Sequence, residues 1–201
     1  MQSYQLPQAT LSTLIEGAQL LEEDSHGPKV YRLRDGDFLK IFRRKRLLSS
    51  TLWCPYSKSF CKNALRLQQL GIPTLSPIAH YQLEQPGLTA VHYQALPGET
   101  LGQLSKSPDF NWQHLLPHLT GLIHRLHESG VYFRSLHLGN IVLTPENELG
   151  LIDISDMRFF RRPLSKWMRR RNLDHFNRYL EREGLTDSFP MSSLKKALLD
   201  S

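Results

Sequence analysis

The apolar residues of this chain change their period partway along, and that change limits what the chain can fold into. Up to about residue 95 they come in short runs broken by turn residues, and beyond it a longer helical spacing appears. Leu20-Leu21-Glu22-Glu23-Asp24 and Val30-Tyr31-Arg32-Leu33 flank a Ser25-His26-Gly27-Pro28 turn, and Asp35-Gly36 leads into Phe38-Leu39-Lys40-Ile41-Phe42. That pattern predicts a three-strand meander. Phe60, Ala64, Leu67 and Leu70 predict a helix over about Tyr56 to Leu70, which Gly71-Ile72-Pro73 ends. Ile78–Leu83 and Leu88–Tyr93, around Gln85-Pro86-Gly87, predict a hairpin, and Leu96-Pro97-Gly98-Glu99 reads as a hinge.

After the hinge, Leu115, Leu119, Leu122, Ile123 and Leu126 form one helical face, with Gly130 where its end would be capped. Ile141-Val142-Leu143 and Leu149-Gly150-Leu151-Ile152 predict a short hairpin around Thr144-Pro145-Glu146-Asn147. Leu164, Trp167, Met168, Phe176 and Leu180 predict a terminal helix beside a run of arginines. The expected class is α+β. A small antiparallel β lobe with one helix is expected over about residues 15–95, and a reduced, mainly helical lobe with a basic C-terminal helix over 96–201.

With 201 residues, 40% hydrophobic and 22% charged, the chain has the composition of an ordinary globular protein that buries a core. No run approaches the roughly 18 to 20 apolar residues of a membrane span, and Met1–Gln8 lacks the order of a signal peptide, so a cytoplasmic address is expected. Cys54 and Cys61 are too few for a disulfide framework and read as ordinary thiols. The formal charge of +6 is unevenly distributed. Arg158, Arg161, Arg162, Lys166, Arg169, Arg170 and Arg171 follow one another with no acid among them. Such a stripe is either a solvated helix face or a site for an anionic partner, which could be nucleic acid, an acidic membrane surface at its inner face or a phosphorylated substrate, with phosphorylated lipid or glycolipid ahead. The interleaved Phe159, Phe160 and Trp167 also suit nucleic acid, but no base-reading motif accompanies them, so that partner ranks lower.

The most informative segment runs from Phe133 to Asp153. Protein kinases carry H-R-D-L-x-x-x-N and then an Asp that opens D-F-G, because the Asn and the second Asp must grip metal ions on nucleotide phosphates. Here Phe133-Arg134-Ser135-Leu136 precedes Asn140 in the same register, and Leu151-Ile152-Asp153 follows. The metal-gripping pair, Asn140 and Asp153, is present, while the base position holds Ser135. The predicted hairpin puts Asn140 at one end and Asp153 at the other. Lys40 lies in the apolar-x-Lys-apolar setting of the strand lysine that meets nucleotide phosphates. Gly27 is the one glycine of the Asp24–Lys29 turn, where the kinase signature has three. No acid occurs between Asp37 and Glu84, so Lys40 has no helix Glu and would be oriented by Asp153, by phosphate, or by Gln68 or Gln69.

Leu136-His137-Leu138-Gly139-Asn140 is similar to the D-L-H-x-G-N of sugar, aminoglycoside and lipopolysaccharide-core kinases. With Lys40, Gly71-Ile72-Pro73, Pro97-Gly98-Glu99-Thr100-Leu101, and Leu126-His127 before Gly130, the chain resembles the lipopolysaccharide kinase family, the heptose and Kdo kinases and their short bacterial relatives, over about residues 15–180. The resemblance implies a two-lobe protein-kinase-like fold that uses ATP and Mg²⁺ on a sugar or glycolipid hydroxyl. It implies Lys40, Gly27, Gln94 and Leu96 at the nucleotide, Asn140 and Asp153 at magnesium, and Ser135 and His137 at the reacting end. The chain departs from the family at Ser135, at the absent helix Glu, and at Asp153-Ile154-Ser155 in place of D-F-G.

A positioned base contributes about 10² to 10⁴ in rate, whereas phosphoryl transfer depends mainly on positioning and metal electrostatics. A slow kinase is therefore compatible with Ser135, which orients an acceptor hydroxyl without taking its proton outright. Asp156 is near enough in sequence to substitute, although it reads first as an exposed loop carboxylate. Ser135 and the missing Glu also fit a pseudokinase, a nucleotide-binding regulatory or scaffold module that transfers nothing. A basic binder of anionic membrane surfaces is a third expectation. His114 and His118 stand four apart on the predicted long helix, but no further ligand completes a metal set, so they read as surface histidines.

Overall fold

The computed structural model describes residues 1–25, 27–43 and 56–199; His26 of the first predicted turn and Cys54 lie outside them. The architecture is α+β. The chain divides into two compact units, Met1–Gln69 with Thr74–Ala95, and Leu70–Pro73 with Leu96–Ser201.

The first unit is built on a mixed six-stranded sheet. Its elements are β1 (Ser3–Leu6), α1 (Gln8–Leu14), β2 (Gln19–Asp24), β3 (Gly27–Arg32), β4 (Phe38–Arg43), α2 (Tyr56–Gln69), β5 (Ser76–Leu83) and β6 (Leu88–Gln94). The strand order is β1-β5-β6-β4-β3-β2. The meander, the helix and the hairpin form where the turn residues predict them. The expectation of a purely antiparallel lobe with one helix is corrected, because β1 pairs parallel to β5 and α1 adds a second helix.

Period-two alternation along β4 explains why its run is almost continuously apolar: both of its faces are covered. Leu39 and Ile41 pack with Leu6, Leu11, Leu33, Leu83 and Ala90, a cluster that α1 helps close. The alternate residues Phe38 and Phe42 join the aromatic set of the α2 side. Phe42 and Phe60 lie 5.5 Å apart, Phe60 and Tyr93 5.3 Å, and Phe38 and Tyr93 5.6 Å. Phe60 is fully buried, which contributes about 2–3 kcal/mol by area. Buried His80 ties four elements together. Its Nδ1 meets Ser3 Oγ and its Nε2 meets Ser57 Oγ, both at 2.9 Å, while Thr89 Oγ1 donates to Ser57 Oγ at 2.8 Å. Burial lowers the pKa of His80, helped by the charge of Lys58.

The second unit contains β7 (Glu99–Thr100), α3 (Leu101–Leu104), α4 (Trp112–Glu128), β8 (Val131–Phe133), β9 (Ile141–Leu143), β10 (Leu149–Leu151), β11 (Met157–Phe159), α5 (Lys166–Arg182) and α6 (Met191–Leu199). Strands β10, β9 and β7 form one small sheet and β11 with β8 another. Thr100 and Gln103 cap α3 reciprocally, and the Asn111 side chain caps α4 by accepting from Gln113 N at 2.8 Å. Leu119, Leu122, Ile123 and Leu126 are buried along α4, as their spacing predicts. Gly130 follows the helix at φ +70°, where an added Cβ would meet Arg162 O at 2.5 Å and Phe160 O at 2.6 Å. Leu151 N donates to Pro73 O at 2.9 Å and Arg125 to Gly71 O at 3.2 Å, which fastens Leu70–Pro73 to this unit. The predicted terminal helix is α5, but it is not the last, because α6 follows it.

A buried hydrogen-bond chain joins α4, α5 and β8. Asn172 Nδ2 donates to Phe133 O at 2.6 Å, which fixes the amide so that Oδ1 accepts from His127 Nε2 at 3.1 Å. Among the described residues no helix is long and apolar enough to cross a membrane.

Candidate functional site

The segment from Phe133 to Asn140 is held by alternation. Leu136 and Leu138 are fully buried, so the residues between and before them, Ser135 and His137, stay partly accessible. Backbone turns finish the loop, with Leu136 N donating to Phe133 O at 3.1 Å and Asn140 N to His137 O at 2.9 Å. The Asn140 amide then locks it from inside. Its Nδ2 donates to Ser135 O at 2.9 Å and to His137 Nε2 at 3.1 Å. Because Nε2 accepts, a neutral His137 carries its proton on Nδ1. Burial lowers the His137 pKa and the Arg182 charge lowers it further, against Asp153, Asp156 and Glu183.

Helix α5 supplies the other wall. Tyr179 stacks on His137 with ring centroids 4.3 Å apart and planes 4° from parallel. The Tyr179 hydroxyl accepts from Gly139 N. Two glycines allow this approach, since a Cβ on Gly102 would sit 2.8 Å from that hydroxyl and one on Gly139 3.2 Å from it.

Asp153 follows directly on the β9–β10 hairpin. Ile152 N donates to Asn140 O at 3.0 Å, so the two ends of the hairpin meet. Asp153 itself is exposed, with a left-handed backbone at φ 50° and ψ 45°. For a non-glycine residue that conformation costs about 1–3 kcal/mol, and such strain concentrates at functional positions. A turn of 3-10 helix, Ile154–Asp156, leads on to β11.

Asp156 corrects its expectation as an exposed loop carboxylate. Its side chain is only 14% exposed. Ser135 Oγ donates to Asp156 Oδ2 at 2.6 Å, and Arg134 Nε donates to the same oxygen at 3.3 Å. The base position thus holds a hydroxyl bonded to a carboxylate.

The remaining expected residues belong to the first unit or to its border. Lys40 on β4 is 7% exposed and lies in register with Val30 and Val91. Its ammonium stands 5.6 Å from the Phe60 ring centroid and 5.8 Å from that of Phe42. From α2, therefore, an aromatic ring meets Lys40 where a Glu was sought. Gln68 Nε2 donates to Leu75 O at 3.3 Å and Ser76 Oγ at 3.4 Å. Gly27 opens β3 at φ +105° beside Arg43, which pairs with Asp24 at 3.1 Å. Gln94 is exposed at the end of β6, in the first unit. Leu96, in the second unit, covers Gly150 on β10.

The basic stripe is dispersed over β11, a loop and α5. Arg169 leaves it, with 13% of its side chain exposed, an ion pair to Glu128 at 2.6 Å and a hydrogen bond to Leu164 O at 2.9 Å. Arg171 lies over the Trp167 ring at 5.3 Å. His114 and His118 are exposed on α4. Asp35, Asp37 and His92 converge in the first unit, but Asp37 is already paired with His92 at 2.9 Å and Asp35 accepts from Asp37 N at 3.0 Å. Burial pushes the Cys61 thiol up to about 11, which suits an inert core residue. No protein-family model matches the chain, and no curated protein matches it either.

Proposed function

We propose that the chain is a kinase-like phosphotransferase of two-lobe architecture, acting with ATP and magnesium on a hydroxyl of a sugar or lipopolysaccharide-core acceptor. The observation that carries this reading is the Asn140 amide. Its nitrogen is spent on Ser135 O and His137, which leaves Oδ1 to ligate. Asn140 Oδ1 and the Asp153 carboxylate are hard oxygen donors of the kind magnesium takes, and the Ile152 N to Asn140 O bond keeps their backbones together. Bound magnesium and ATP would supply the transferable phosphoryl group and offset its charge.

The chain's own residues have distinct tasks under this reading. Lys40 contributes a point charge to phosphate, its stem buried among aromatics. Ser135 accepts the proton of the acceptor hydroxyl as its own proton passes along the 2.6 Å bond to Asp156. Meanwhile the acceptor oxygen bonds to the γ-phosphorus and the bond to the leaving ADP oxygen breaks. The carboxylate absent from position 135 is thereby supplied from position 156.

A second reading, a nucleotide-binding module that transfers nothing, is favoured by the hydroxyl at the base position and by the lack of any acidic residue on α2. Thermal unfolding with ATP, with and without magnesium, tests what the two readings share. Stabilisation by ATP with magnesium is expected, and Asp153→Ala is expected to abolish the magnesium-dependent part. Unchanged ATP affinity in that variant would refute the metal assignment. Phosphate transfer to candidate core sugars that is lost in Asn140→Ala would reject the inert module.

A further inference from the structure

One face of α5 carries His175, Arg178, Tyr179 and Arg182 at i, i+3, i+4 and i+7, so the four side chains share a stripe. With Arg134, Ser135 and His137 of the preceding loop they line an open pocket of about 440 Å³, all within the second unit. Each of its three guanidiniums is anchored through Nε. Arg134 is held by Asp156 Oδ2 at 3.3 Å, Arg178 by Asp174 O at 3.2 Å, and Arg182 by Glu183 Oε1 at 3.2 Å. Among the described residues their Nη groups have no hydrogen-bond partner. Two imidazole nitrogens of the same lining, His137 Nδ1 and His175 Nε2, are buried and have no partner among the described residues either.

On the His175 side of the pocket the neighbouring charges are mostly positive. After burial, the charges of Arg178, Arg171 and Arg134 lower the His175 pKa against Asp174, and Arg182 does the same to His137 against Asp153, Asp156 and Glu183. Of the nearby carboxylates, Asp156 is engaged by Ser135 and Arg134, and Glu183 by Arg182. Arg134 and Arg182 each pair with one carboxylate while Arg178 bonds only a backbone carbonyl among the described residues, so the recess offers Nη donors and two unpartnered imidazole nitrogens that suit an anion. The volume lies within the range of about 300–1,000 Å³ usual for small-molecule sites.

We infer that this pocket binds the anionic group, phosphomonoester or carboxylate, of a small sugar acceptor, whose hydroxyl it presents to Ser135. The acceptor role rests on the phosphotransfer reading; the anion site does not. The arginines that form it are Arg134, Arg178 and Arg182, not the Arg158–Arg171 run.

Isothermal titration of the full chain, without ATP or magnesium, tests the site with glucose 6-phosphate, inorganic phosphate and glucose. Saturable binding of glucose 6-phosphate is expected, with weaker phosphate binding and none for glucose. Replacing Arg178 and Arg182 together by Gln is expected to weaken glucose 6-phosphate by about tenfold or more. Both side chains are exposed, so the fold should tolerate the change, and an unaltered melting temperature would verify it. The same charge change at exposed Arg161 and Arg170 is expected to leave binding intact; an equal loss there would reduce the site to diffuse charge and overturn the inference.

Glucose binding as tightly as glucose 6-phosphate would also overturn it. So would phosphatidylglycerol vesicles that bind through Arg178 and Arg182 while glucose 6-phosphate does not. ATP–magnesium stabilisation with no glucose 6-phosphate binding would sink this inference and leave the phosphotransfer reading standing. The reverse result would leave the anion site and remove the kinase.

Discussion

Lowering the pH from 7 to 5 should destabilise the second unit through one buried histidine, His127. Its side chain is fully buried, and burial holds its pKa down to about 4 from an ordinary 6.5, against the hydrogen bond to Asn172. Above pH 6.5 neither the folded nor the unfolded ring binds a proton. Between 6.5 and 4 only the unfolded ring does, so stability falls as the pH falls, and the loss is complete near pH 4. The whole displacement corresponds to about 3 kcal/mol between the protonation states, of which about 2 kcal/mol is lost by pH 5.

His80, His137 and His175 also have lowered pKa values and steepen the curve in the same direction. A difference against His127→Gln removes their share, because Gln keeps a donor for Asn172 Oδ1 and does not titrate. Urea unfolding followed by circular dichroism at pH 7, 6 and 5 is the assay. The variant should start less stable at pH 7 and lose about 2 kcal/mol less than the natural chain by pH 5, a midpoint difference on the order of 1 M urea. Parallel pH curves for the two proteins would refute the reasoning, since they would mean that His127 is as easily protonated folded as unfolded.

Two substitutions probe other steps of the argument. Asp156→Asn keeps the shape beside Ser135 but removes the proton acceptor, so turnover in a phosphate-transfer assay should fall by about 10² to 10⁴ while stabilisation by ATP with magnesium stays as it was; full activity would exclude Asp156 from proton transfer. Gly130→Ala forces a Cβ to within 2.5 Å of Arg162 O at φ +70° and should cost about 2 kcal/mol or more in urea unfolding, with an unchanged midpoint counting against the cap.

The sequence reveals most of the first unit because its strands are short and punctuated. Gly, Pro and Asp mark the ends of β2 to β6, and the Gly71-Ile72-Pro73 stop ends α2. It does not reveal β1 or α1. Ser3–Leu6 has one buried residue and no alternation, and its partner strand comes much later, so the pairing is decided by tertiary contact. The loop of the site is legible as a motif, since Leu136 and Leu138 are fixed by burial and Asn140 by its two hydrogen bonds. Asp156 is not, because its shelter comes from Arg134 and Ser135 closing over it in space. The placing of the arginine run is not legible for a related reason: adjacency in sequence becomes dispersion over a strand, a loop and a helix. The stripe that does converge is spaced by helical turns, so its signal is a period and not a density of charge.

The parallel pairing of β1 with β5 has a consequence for how the first unit comes together during synthesis. Ser3 meets His80 across 77 positions of chain, so β1 stays without its partner until nearly the whole unit has been made. Its late arrival covers the edge of β5, which would otherwise offer unpaired backbone groups to other chains. Strand β1 thus acts as a final closure on the sheet, and its loss would be felt first as aggregation.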